Sequence, residues 1–296
     1  MAAERIGLAA GLPAQRVRWS PSTQQFYWLL IAPALLLMVG FYFYPLAKVL
    51  WISVTEPKPG LDNYGLLFTS ESVQRTLLTT ARICVITTAI TMLLGYVIAY
   101  AMIHAGDRQL RWLTFCVLLP LWISVLVRAF AWVTLLRSNG LINQGLQGLG
   151  LIAEPLALVR NELGVAIGMI HYMIPFAVLP LYANMRTIDL RLVAAARGLG
   201  ASPFAAFRRV FLPLSLPGIV GAGILIFIFS LGFYVTPAIL GGGRVLMVAE
   251  YIAVQILTVL RWGLGAMLAT TLLVSVLLLM AALARIVNLR RMFGSA

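Results

Sequence analysis

The chain holds few side chains able to act on a solute, and the most conspicuous is Arg128. It stands inside an apolar run, 112–136, sixteen residues past its start and eight before its end. An ionisable group at that depth in hydrocarbon is costly. It faces a water-lined path or a subunit boundary, or it is held by a structural pair or reaches toward the headgroups. Trp132 and Tyr234 offer ring faces that suit a cationic amine, as do Trp122 and Phe233, while Tyr172 either lines the path or packs. His171 has no carboxylate in its own apolar run, so a neutral, hydrogen-bonded imidazole is expected in place of a proton relay. The nearest carboxylate is Glu250, in the segment 245–260. Arg128, Trp132, Tyr172, Tyr234 and Glu250 are therefore the candidates for lining a path across a membrane. No catalytic residue is assigned: the apolar runs hold no paired carboxylates, no HExxH and no Ser/His or Cys/His pair with a positioned third group. Cys84 and Cys116 both lie in apolar runs and read as buried small hydrophobes, so no metal site is assigned. The glycine run at 241–244, GGGR, lacks the spacing and lysine of a phosphate-binding GxxxxGK[ST] loop, so nucleotide hydrolysis has to come from another chain.

The elements that must position these residues are membrane spans. With 61% hydrophobic and 10% charged residues in 296, the chain has more apolar side chains than one soluble core can hide. Six runs are long enough to cross a bilayer: 26–44, 83–103, 112–136, 163–185, 218–240 and 262–283. An all-α membrane protein follows, with polar tails at 1–25 and 286–296 flanking a membrane body at 26–285. With the N-terminus inside, thirteen Lys and Arg fall on the cytoplasmic side and eight on the outer side, although the outer loops are longer. The positive-inside rule then puts both termini and the 186–217 loop in the cytoplasm. The net charge of +13 is mostly this topology, and its dispersal between spans argues against nucleic acid. Segments 51–75 and 139–162 are expected as outer loops. Segment 245–260, short and polar for a span, is expected as a re-entrant or interfacial helix. Pro120, Pro175, Pro180 and Pro237 are hinge candidates, and Gly218, Gly221 and Gly223 allow close helix approach.

The one long polar interruption between spans is 186–217. Residues 189–197 are rich in Leu and Ala and predict a short helix, broken at Gly198 and Gly200. Ser202 followed by Pro203 is an N-cap with proline at the first helical position, so a second helix starts there. Pro213 predicts its end near Leu212. Phe204, Phe207 and Phe211 then share one face, with Arg208 and Arg209 in the last turn. Such a helix suits docking to a soluble partner; Phe and Arg together also suit lipid headgroups.

The same stretch resembles the cytoplasmic signature of ABC importer permeases: E-A-A, three residues, G, nine residues, I, one residue, L-P. Ala195 and Ala196 match the alanines, Gly200 the glycine, Val210 the isoleucine, and Leu212 and Pro213 the ending, while Ala194 replaces the leading Glu. GLDNY at 60–64, LPLWISVLVRAFAW at 119–132 and LGFYVTPAILGGG at 231–243 look like the spermidine/putrescine branch of type I permeases. The resemblance implies a type I permease fold with six transmembrane helices and a short coupling helix after Gly200. Ala195, Ala196, Gly200, Ser202, Phe204, Phe207, Arg208, Val210, Leu212 and Pro213 would engage an ATPase. It implies that ATP and Mg are bound by a partner ATPase dimer and no cofactor by this chain. The other implied partners are a second permease subunit, forming a heterodimer, an extracytoplasmic solute-binding protein, and lipid of a bacterial inner membrane. The absence of carboxylates from the spans strains a polycation reading, and another small solute such as an amino acid, betaine or phosphonate is the alternative. A stand-alone secondary carrier differs from both in needing no ATPase.

Overall fold

The computed structural model describes residues 21–286. Of the tails expected at 1–25 and 286–296, residues 1–20 and 287–296 lie outside the described residues, and the chain is already helical from Pro21. Two compact units are separated at Val49 and Leu50. In the first, α1 (Pro21–Met38) passes through a π-turn at Val39–Phe43 into α2 (Tyr44–Thr55), whose residues from Leu50 on belong to the second. The side chains from Phe26 to Tyr44 are almost all exposed, as a lipid-facing span requires.

The second unit holds α3 (Asp62–Thr69), α4 (Glu71–His104), α5 (Asp107–Trp122), α6 (Val125–Leu136), α7 (Leu141–Gly148) and α8 (Glu162–Met185). There follow α9 (Leu190–Gly198), α10 (Pro203–Ala206), a π-turn at Phe207–Phe211, α11 (Leu212–Leu231), α12 (Val235–Gly241), α13 (Val248–Leu257) and α14 (Trp262–Ile286). No strand occurs among the described residues, and six helical stretches are long and apolar enough to cross a membrane.

Packing centres on α4, α8 and α11. Along α4 the buried positions Thr80, Cys84, Thr87, Thr91, Gly95 and Ala99 recur every three or four residues and are small, while Leu93 and Val97 point outward. Small residues let backbones approach where hydrocarbon supplies no hydrophobic drive. A Cβ on Gly95 would sit 2.6 Å from the Cβ of Ala177 in α8. Arg82 pairs with Glu162 at one end, so α4 and α8 run parallel, and α11 returns antiparallel with Phe207 and Phe211 against Tyr100.

Several expectations change. The run 112–136 is not one helix: α5 stops at Trp122, and α6 starts after Ser124, whose carbonyl accepts from Arg128 N–H. The run 218–240 also breaks, between Leu231 and Val235, where Gly232 offers little helical preference. Pro213 does not end a helix. Leu212 N–H bonds to Phe207 C=O, a five-residue step that shifts the register and puts Pro213 in the first turn of α11, where it needs no donor. Residues Pro203–Leu231 are thus one helical stretch of 29 residues. The outer segments expected as loops contain α3, the first turns of α4, and α7. Segment 245–260 contains the ten-residue α13, too short to span. Of the three glycines, only Gly218 serves a close approach: its Cβ would meet the Asn184 side chain at 2.6–2.8 Å, whereas Gly221 and Gly223 face open space.

Candidate functional site

Two places gather the residues singled out from sequence: a turn at one end of the bundle and a polar cluster at mid-depth. In the turn, the Asp189 carboxylate caps α9 by accepting from Arg191 N–H at 2.9 Å. The far end of α9 is closed by the chain itself, with Leu199, Gly200 and Ala201 N–H bonding back to the carbonyls of Ala195, Arg197 and Ala196. That closure requires φ of +90° at Gly200, which glycine adopts at little cost. Ser202 Oγ then accepts from Ala205 N–H at 3.2 Å, and Pro203 opens the next helix as expected.

The free-standing short helix is α9, before Gly200, and not the segment after it. Ala195 is exposed and Ala196 half-buried on α9, while Leu199 is 90% and Phe204 69% exposed beside Gly200. The expectation of one outward aromatic face is corrected. Phe211 is buried and Phe207 half-buried, and both meet Tyr100 edge to face, with centroids at 5.2 and 5.5 Å. Tyr96 adds an edge contact to Phe207 and a 3.0 Å hydrogen bond to Ser215. The π-turn breaks the 3.6-residue wheel on which the shared face was drawn. Arg208 and Pro213 are exposed, and Val210 and Leu212 half-buried. Leu199 was missed from sequence; its signal is a large apolar residue between two glycines.

At mid-depth, Arg128 is 8% exposed and its guanidinium lies over the Tyr172 ring, 4.5 Å from the centroid. Its Nε and Nη1 are buried without a hydrogen-bond partner, and the one ion pair among the described residues is Arg82–Glu162. Arg128 therefore has no carboxylate partner there. Tyr172 is ten residues past Glu162 in α8, about 15 Å along its axis. Phe233 tilts against the Tyr172 ring at 4.6 Å and Phe176 stacks on it at 5.8 Å. Trp132 Nε1–H donates to His171 Nδ1 at 3.1 Å. An imidazole accepting at Nδ1 keeps its lone pair there, as a neutral ring does. Tyr234 is adjacent but 45% exposed, and Glu250, on α13, makes no ion pair with Arg128.

The end opposite α9 carries a cavity of about 1130 Å³ lined by Arg75, Arg82, Arg244, Glu71, Glu162 and Tyr251. Among the described residues no group of three His, Cys, Asp or Glu is placed to hold a metal ion.

A family model described as binding-protein-dependent transport system inner membrane component matches residues 91–293. The chain belongs to that family. This inner-membrane permease is 36% identical over 196 residues to the spermidine/putrescine transport system permease protein PotB of Haemophilus influenzae, covering 66% of this chain and 68% of that one. It is 31% identical over 212 residues to the protein of the same name from Escherichia coli, covering 72% and 77%. Similarity extends to a trehalose transport system permease protein, SugB, of Mycobacterium tuberculosis, at 31% over 218 residues and 69% and 71% coverage. Its fold matches that of a bacterial ABC transporter involved in the import of alginate, with a TM-score of 0.71 at 20% identity over 90% of this chain and 97% of that one. The permease is an all-α, multi-pass membrane protein of the ABC importer permease fold.

Proposed function

We propose that this permease subunit carries a polyamine of the spermidine/putrescine class, driven by ATP hydrolysis on a separate ATPase dimer that alone binds ATP and Mg. The observation that carries this reading is the 36% identity to a spermidine/putrescine permease. The aromatic cluster of Tyr172, Phe233 and Phe176 agrees with it, since ring faces attract ammonium groups. Path-lining roles are proposed for Arg128, Trp132, Tyr172 and Tyr234, with Glu250 at the outer mouth.

Coupling is assigned to α9 and the turn that follows it. Exposed Leu199 and Phe204 provide apolar anchors, Ala195 and Ala196 permit close approach, and Arg208 lies alongside. Behind them, Phe207 and Phe211 join the base of α11 to Tyr96 and Tyr100 of α4, so a push on the turn moves two spans as one body. Both termini are placed in the cytoplasm with α9, and a solute-binding protein docks at the opposite end, where the arginine-lined cavity opens. A second, non-identical permease subunit completes the path.

The test is ATP turnover by the reconstituted importer with its binding protein preloaded with spermidine, putrescine, an amino acid, a betaine, a phosphonate or trehalose. Stimulation by the polyamines alone is expected. Stimulation by trehalose and not by spermidine refutes the polyamine assignment while leaving the importer class intact.

A further inference from the structure

We infer that Arg128 is a tethered cation which, when no solute is in the path, occupies the place on the Tyr172 ring that a solute ammonium takes during passage. This rests on the polyamine reading above. A positive charge 4.5 Å above a ring centroid is the geometry an ammonium adopts on an aromatic face, and here the protein's own guanidinium fills it. What holds the guanidinium is the Tyr172 side chain, with no carboxylate beside it. Arg128 is 8% exposed, yet Nε and Nη1 have no acceptor, and it forms no ion pair with any carboxylate of the described residues. A buried charge without a carboxylate partner is the more easily displaced by a better arrangement.

The surroundings allow the movement. Arg128 lies one turn past the break between α5 and α6, and Phe233, which packs on Tyr172, lies in the break between α11 and α12. Both the cation and the wall of its site therefore stand at helix interruptions, where no continuous ladder of backbone bonds resists a tilt. An incoming ammonium competes with the guanidinium for one ring and is repelled until the arginine swings off. Arg128 thus sets affinity for cationic solutes downward and keeps a positive charge in the path while it is empty.

The experiment is equilibrium binding of radiolabelled spermidine to the purified complex of both permeases and the ATPase, without binding protein, scored per mole of assembled complex. Arg128→Gln vacates the ring and is expected to bind spermidine about tenfold more tightly, a gain within the range of a partly desolvated cation–π contact. Arg128→Lys keeps a tethered cation and is expected to show less of that gain than Arg128→Gln. Tyr172→Leu combined with Arg128→Gln is expected to lose the gain, because the ring itself is gone. Unchanged or weaker binding by Arg128→Gln, with spermidine transport intact in the unaltered complex, overturns the inference alone. Transport of another solute class and not of spermidine by the unaltered complex overturns it together with the reading on which it rests.

Discussion

Gly198 and Gly200 are two residues apart, and a Cβ added at either meets nothing within 4 Å, so sterics with neighbours cannot distinguish them. Their backbones can. Gly198 closes α9 in helical geometry, whereas Gly200 has φ of +90°. Alanine in left-handed geometry costs about 1–2 kcal/mol, whereas alanine for glycine inside a helix gains roughly 0.5–1 kcal/mol. Gly200→Ala therefore depopulates the observed turn by about fivefold to thirtyfold, at tenfold per 1.4 kcal/mol, and Gly198→Ala leaves it intact or firmer. If this turn is the shape the ATPase recognises, the Kd for the ATPase subunit rises by about the same factor for Gly200→Ala and is unchanged or lower for Gly198→Ala. Titration of labelled ATPase onto the permease pair in nanodiscs reads both. Equal effects of the two substitutions, or none from Gly200→Ala, refute the role of the turn.

Phe211→Ala empties a buried position between α11 and α4 and should lower stability by about 3–5 kcal/mol in thermal unfolding, whereas exposed Phe204→Ala should leave stability within about 0.5 kcal/mol. Thr80→Val removes the hydroxyl that accepts Val248 N–H at 2.8 Å, leaving a buried amide unpaired at a cost of about 1–3 kcal/mol, and hydrogen exchange at Val248 should speed up accordingly. Glu250, on the non-spanning α13, has its carboxyl pushed by burial from the usual 4.5 up to about 7. The folded state then holds this proton more tightly than the unfolded one, so stability falls as pH rises from about 4.5 to about 7. Glu250→Gln should remove that slope and be the more stable form at pH 8; an unchanged slope contradicts the assignment.

Hydropathy and charge made the spans legible, because a bilayer demands length and apolarity that few other environments require. Local chemistry made the turn legible: Ser202–Pro203 and Gly200 act through their own backbone geometry. The breaks at Ile123–Ser124 and Gly232–Tyr234 were hidden, since their flanks are apolar and hydropathy says nothing about backbone register. Pro213 misled because one extra residue in the preceding turn converts a helix breaker into a first-turn residue. That same turn hid the direction of Phe207 and Phe211. Arg128 was visible as an anomaly, but its seat on Tyr172 was not, since the two residues lie on different helices and meet only through tertiary packing.

The most direct measurement is accumulation of radiolabelled spermidine in proteoliposomes containing this permease, its second permease subunit and the ATPase, with binding protein outside. Uptake is expected, and it requires all four components and ATP hydrolysis. Uptake by this chain alone on an ion gradient, or ATP-driven uptake of other solutes with none of spermidine, contradicts that expectation.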